Sequence, residues 1–109
     1  MEIDEVRINE RLANMQVKFI LAEVSNGKEK LILFRSSGAE YHSDIYEQLK
    51  SELKERMSAE VLGGGWLIFD PGNRLIKIWG RSSNYGQADY KTACKLLQNR
   101  YPDFKIESP

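Results

Sequence analysis

Two residue types that carry much of protein chemistry are almost missing from this chain: its 109 residues hold one cysteine, Cys94, and one histidine, His42. A lone cysteine forms no internal disulfide, and a single histidine beside it leaves the usual Cys/His zinc frameworks unassembled. The setting implied is a reducing cytoplasm with no structural metal. An excess of charge of either sign is missing as well. Sixteen Lys and Arg residues balance 16 Asp and Glu, so no global field draws the chain to nucleic acid or to a bilayer surface. No apolar run reaches membrane-spanning length, and the acidic start Met1-Glu2-Ile3-Asp4-Glu5 lacks the basic residues and apolar stretch of a signal peptide. Neither nucleic acid nor membrane is expected as a partner, and the protein is expected to be soluble. Repeats and low-complexity tracts are also absent. Residues 1–109, with 41% hydrophobic and 29% charged content, are therefore read as one compact domain with its own core.

What is present is a series of β-forming runs and two helical patterns. Val17 to Val24 is apolar on nearly both faces, as in an interior strand, and Lys18 is the exception on its face. Ser25-Asn26-Gly27-Lys28 supplies turn chemistry before a second strand, Leu31 to Phe34, which predicts an antiparallel hairpin. Val6 and Ile8 mark a short strand ahead of it. After Ser36-Ser37-Gly38, the residues Ile45, Leu49 and Leu53, with Tyr46 and Met57 alongside, fall at helical spacing and predict a first helix through about Met57. Lys50, Glu52, Lys54 and Glu55 read as its solvated sides. A second hairpin follows, Trp66 to Phe69 and Leu75 to Trp79, joined by Asp70-Pro71-Gly72-Asn73. A polar loop from Gly80 to Gly86 leads into a second helix, about Gln87 to Arg100, which Pro102 stops before a last strand at Phe104-Lys105-Ile106. Hairpins with two separate helices make an α+β layer architecture.

His42 sits where a turn enters the first helix. An imidazole titrates near neutrality, at about 6.5 when unperturbed, and serves as nucleophile or base without a metal. At a helix start it stands among unpaired N–H groups that favour anions, a combination suited to phosphoryl chemistry. Position alone is equally compatible with a surface histidine. Lys18 has two readings as well: an ammonium on a buried strand needs an anionic partner, or it lies near the strand end and reaches water. Gly63-Gly64-Gly65 permits close approach of another group to the main chain, is neither a P-loop nor a dinucleotide fingerprint, and reads as a bend in a strand. In Arg81-Ser82-Ser83-Asn84, side chains and backbone N–H groups can be aimed at an oxyanion. Core packing is the reading for most of the group Trp66, Trp79 and the tyrosines, and Cys94 reads as a small buried residue.

Together and in this order, Ala39-Glu40-Tyr41-His42-Ser43-Asp44-Ile45-Tyr46, Leu62-Gly63-Gly64-Gly65, the Gly80 to Gly86 loop and Arg100-Tyr101-Pro102-Asp103-Phe104 resemble the Janus/Ocnus family, over about Val17 to Phe104. The resemblance implies a mixed sheet of about six strands flanked by two helices. It also implies a phosphatase, independent of metal or cofactor, that removes phosphoryl groups from phosphohistidine-containing proteins, with a monomer expected. His42 matches the family's essential histidine and Lys18 its active-site lysine; Tyr41 precedes the histidine as in the family. Backbone N–H groups around His42, Ser43, Ser82, Ser83 and Asn84 are expected to hold the phosphoryl oxygens, with a carbonyl near Gly63, Gly64 and Gly65 fixing the imidazole tautomer. Two departures bear on substrate range. Trp66 stands where vertebrate members have an arginine after the glycines, and Arg81-Ser82-Ser83-Asn84 replaces Tyr-Ser-Met-Ala, so that Arg81 is a new cation near the site. A non-catalytic phosphoprotein-binding module of the same fold is the alternative that these departures leave open.

Overall fold

The computed structural model describes residues 1–109. Its elements run β1 (Val6–Arg7), a 3-10 turn (Glu10–Leu12), β2 (Val17–Ser25), β3 (Lys30–Ser37), α1 (His42–Glu52), β4 (Ser58–Asp70), a second 3-10 turn (Pro71–Asn73), β5 (Leu75–Trp79), α2 (Tyr90–Arg100) and β6 (Lys105–Glu107). All six strands join one sheet in the order β1-β3-β2-β4-β5-β6. The inner pairings are antiparallel, whereas β1 lies parallel to β3 and β6 parallel to β5, so the sheet is mixed and the fold α+β.

The double-sided apolar pattern of β2 has a direct cause, since this strand lies in the sheet interior between β3 and β4 and is covered on both faces. Val17, Phe19 and Leu21 point into a core shared with α2, where Phe19 stacks on Phe34 at 4.7 Å between ring centroids. Ile20, Ala22 and Val24 point the other way, against Ile45 and Leu49 of α1. The hairpin turn works through side chains: Asn26 Oδ1 accepts from the N–H groups of Lys28 (2.9 Å) and Glu29 (2.7 Å), and Gly27 takes φ +91°.

Several boundaries differ from the sequence expectation. α1 ends at Glu52 and not near Met57, although Leu53 and Met57 still pack against the α1-side core. Helical spacing continues past the true end because an extended turn returns both residues to the same apolar cluster. Arg35, 4% exposed on β3, grips Glu52 with a two-pronged contact (3.0 and 3.1 Å), and Arg56 then adopts φ +70°. Glu52 is therefore a paired group, not part of a solvated face. β4 starts at Ser58, before the three glycines, which lie inside the strand; a bulge opposite Leu21/Ala22 turns Leu62 outward. β3 runs on through Ser36 and Ser37. α2 begins at Tyr90, not Gln87, because Asp89 caps it: its carboxylate accepts from Lys91 N–H at 3.1 Å and Thr92 Oγ1 at 2.9 Å. No helix is long and apolar enough to cross a membrane.

Candidate active site

α1 lies over only part of its face of the sheet. Its first turn meets β4 at Gly64, and its next turn is pinned farther back on the same strand, where Tyr46 Oη donates to the Ala59 carbonyl at 2.8 Å. The helix start is held by Asp44, whose carboxylate accepts the Tyr41 N–H at 3.2 Å and complements the helix dipole. Where the helix stops short, a cleft of about 170 Å³ opens, lined by Lys18, Tyr41, His42, Trp66, Arg81, Ser82, Ser83 and Asn84.

His42 is 6% exposed, and its Nε2 lies 2.9 Å from the Gly65 carbonyl oxygen. A carbonyl only accepts, so Nε2 carries the proton and Nδ1 is the nitrogen left for a ligand. Burial pushes the imidazole pKa below its ordinary 6.5; the Gly65 contact opposes this and the Lys18 charge adds to it. The ring is thus neutral at pH 7.

Lys18, second in β2, pairs in register with Trp66 on β4 and shares its face of the sheet. Its ammonium donates to the Glu40 carbonyl and lies 5.0 Å from the Trp66 ring centroid and 5.7 Å from that of Tyr41. Being near the strand end it is only partly covered, yet no carboxylate lines the cleft to neutralise it. Arg81 is exposed at the same cleft, so two cations face one small cavity without an anion.

The glycines act through what they allow to approach and do not line the cleft. A Cβ on Gly64 would stand 2.7 Å from the Phe19 carbonyl, 2.8 Å from His42 Cδ2 and 3.2 Å from Ser82 Cβ. A Cβ on Gly63 would strike the main chain of Gln87 and Ala88, and one on Gly65 the Trp79 carbonyl and the Phe19 ring. Because Gly64 is bare, the segment after the second loop docks on it, with Gly64 N–H donating to Gly86 (3.0 Å) and Ala88 N–H donating back (3.2 Å). This brings Ser82, Ser83 and Asn84 to the cleft that His42 lines.

Of the expected oxyanion donors, the N–H groups of His42, Ser43, Ser83 and Asn84 have no protein partner. The Ser82 N–H is different. It donates to the Gly86 carbonyl at 3.1 Å, while Ser82 Oγ accepts from Tyr85 N–H at 3.2 Å, so Ser82 braces the loop and its N–H is not a free donor. Ser43 does not line the cleft. Trp66, at the position where the resemblance puts an arginine beside the site, lines the cleft, held there by its register opposite Lys18. No group of three or more His, Cys, Asp or Glu side chains is clustered to hold a metal ion.

The family model of the Janus/Ocnus family (Ocnus) matches residues 1–105, nearly the whole length. The chain belongs to the Janus/Ocnus family. Among similar proteins, the sex-regulated protein janus-A of Drosophila pseudoobscura pseudoobscura is 33% identical over 100 residues, covering 84% of this chain and 66% of that protein. The 14 kDa phosphohistidine phosphatase of Sus scrofa is 32% identical over 81 residues, covering 73% of this chain and 64% of its own length. Janus-A of Drosophila melanogaster is 29% identical over 93 residues, with 83% and 69% covered. The chain thus spans just under two thirds of the length of the first two relatives. The family includes a phosphohistidine phosphatase alongside the janus-A proteins.

Proposed function

We propose that this protein hydrolyses the P–N bond of phosphohistidine in proteins, with His42 as nucleophile or general base. The observation that carries this reading is a buried, neutral imidazole whose Nε2–H is tied to a strand carbonyl beside a small cleft holding two unneutralised cations. Phosphoryl transfer asks chiefly for positioning and charge stabilisation. Lys18 and Arg81 supply positive charge to the phosphoryl oxygens, and the free N–H groups at the start of α1 and in the Ser83-Asn84 loop supply directed donors.

In the nucleophilic route Nδ1 of His42 bonds to phosphorus as the substrate P–N bond breaks. The substrate ring departs as neutral imidazole when its other nitrogen carries a proton. Phospho-His42 retains its own Nε2–H on Gly65, so it too leaves as neutral imidazole when water attacks phosphorus and inorganic phosphate is released. In the base route Nδ1 takes a proton from the attacking water and returns one to the departing nitrogen.

The test is phosphate release from a phosphohistidine peptide, followed by rapid quench under alkaline conditions. Release with transient, acid-labile label on His42 supports attack by the ring, and release without label supports the water route. Peptide retained with no phosphate released would refute catalysis and mark a phosphoprotein-binding module.

A further inference from the structure

The cleft continues into an apolar face of the sheet that neither core claims. Trp66 and Ile68 on β4 pair in register with Trp79 and Lys77 on β5, and Leu75 extends the same face toward β6. Strand alternation puts these side chains on the side of Lys18, whereas Leu67, Phe69, Ile76 and Ile78 point into the α2-side core. Trp66, Ile68, Leu75 and Trp79 are only partly buried and pack against neither core cluster. The reason is that α1 runs from Gly64 back toward Ala59, away from them.

We propose that this face is a docking surface for the polypeptide around the phosphohistidine, and that the preferred partner is apolar next to the modified residue with acidic groups beyond it. This rests on the phosphatase reading of the cleft. Continuity supports it, because Trp66 belongs both to the cleft wall and to the apolar face. Charge supports the acidic rim. Lys77 and Lys105 lie 3.9 and 3.5 Å from the Glu107 carboxylate, and Asp70 shares this face as the register partner of Leu75, so the cationic excess lies at the near end, where Arg81 is unpaired beside Lys18. A partner covering this partly buried tryptophan and isoleucine beside the cationic cleft edge gains both apolar burial and electrostatic steering.

Three probes test this: the phosphoramidate ion and two peptides with a central phosphohistidine, one flanked by leucines and then aspartates, the other by serines and lysines. The first peptide is expected to have a KM about tenfold below the second. Ile68→Asp and Lys77→Glu should each raise its KM severalfold and leave kcat/KM for phosphoramidate unchanged, which also shows that the variants fold. If Ile68→Asp fails to fold, Lys77→Glu at an exposed position carries the test. Equal KM values for the two peptides, or variants that alter phosphoramidate and peptide alike, overturn the docking surface. If the wild type releases phosphate from none of the probes, the phosphatase reading fails, and Kd values for the same two peptides then decide the surface on their own.

Discussion

On the α2 side of the sheet, fourteen buried residues from Val6 to Tyr101 make one continuous core, sealed by the aromatic group Phe69, Tyr101 and Phe104. On the α1 side only six residues are buried as a core, and beyond Gly64 the sheet is uncovered. The same strands serve both faces, since alternate residues of β2 and β4 go to opposite sides. The difference teaches where a small fold can leave room for a site. One layer is complete and carries stability, and the other stops short, so that a helix N-terminus, a histidine and a lysine meet at its open edge.

Substitutions on the two faces should therefore separate. Lys18→Ala removes a charge from the open edge and is expected to reduce kcat on phosphohistidine by about 3 to 4 kcal/mol of barrier, some hundredfold or more, with little change in Tm. Steady-state kinetics beside a thermal melt measure both, and a large Tm loss would contradict the division. Leu97→Ala empties part of the sealed face and should cost about 2 to 5 kcal/mol in urea unfolding, while the folded fraction keeps its kcat. Gly64→Ala strikes where the faces are joined through β4. Its Cβ crowds the Phe19 carbonyl and His42 together, so a loss of about 1 to 3 kcal/mol in stability should come with reduced turnover, and a variant losing neither would show that the contact is slack.

The smallest effect is in pH. Burial lowers the folded-state pKa of His42, so as pH falls the unfolded chain protonates first. The contribution is complete above about 6.5 and is lost progressively as pH drops through the lower folded-state value. An NMR titration of the ring should show neutral His42 at pH 7, taking up a proton only below its ordinary 6.5, and a ring already cationic at pH 7 would contradict a neutral His42.

Much of this was legible in the residues. The run Val17 to Val24 announced an interior strand because burial on both faces demands apolar residues at every position, and Lys18 stood out for the same reason. His42, Lys18 and the Arg81 to Asn84 loop were each visible as candidates, but their meeting depends on long-range register, above all Lys18 opposite Trp66 and Gly86 to Ala88 docked on Gly64. Periodicity carried α1 too far because Leu53 and Met57 bury without being helical. The Arg35–Glu52 clamp was invisible for the opposite reason: its partners are 17 positions apart and look like ordinary surface charges until β3 and α1 are brought together. Trp66 could be placed beside the site only through the resemblance, since a tryptophan in a strand packs into a core more often than it lines a cleft.

The most direct test of the central claim compares phosphate release from a phosphohistidine peptide by the wild type and by His42→Ala, each shown by its melt to be folded. The account predicts that the variant loses at least about a hundredfold in kcat while retaining the peptide. Equal rates in the two proteins would contradict it.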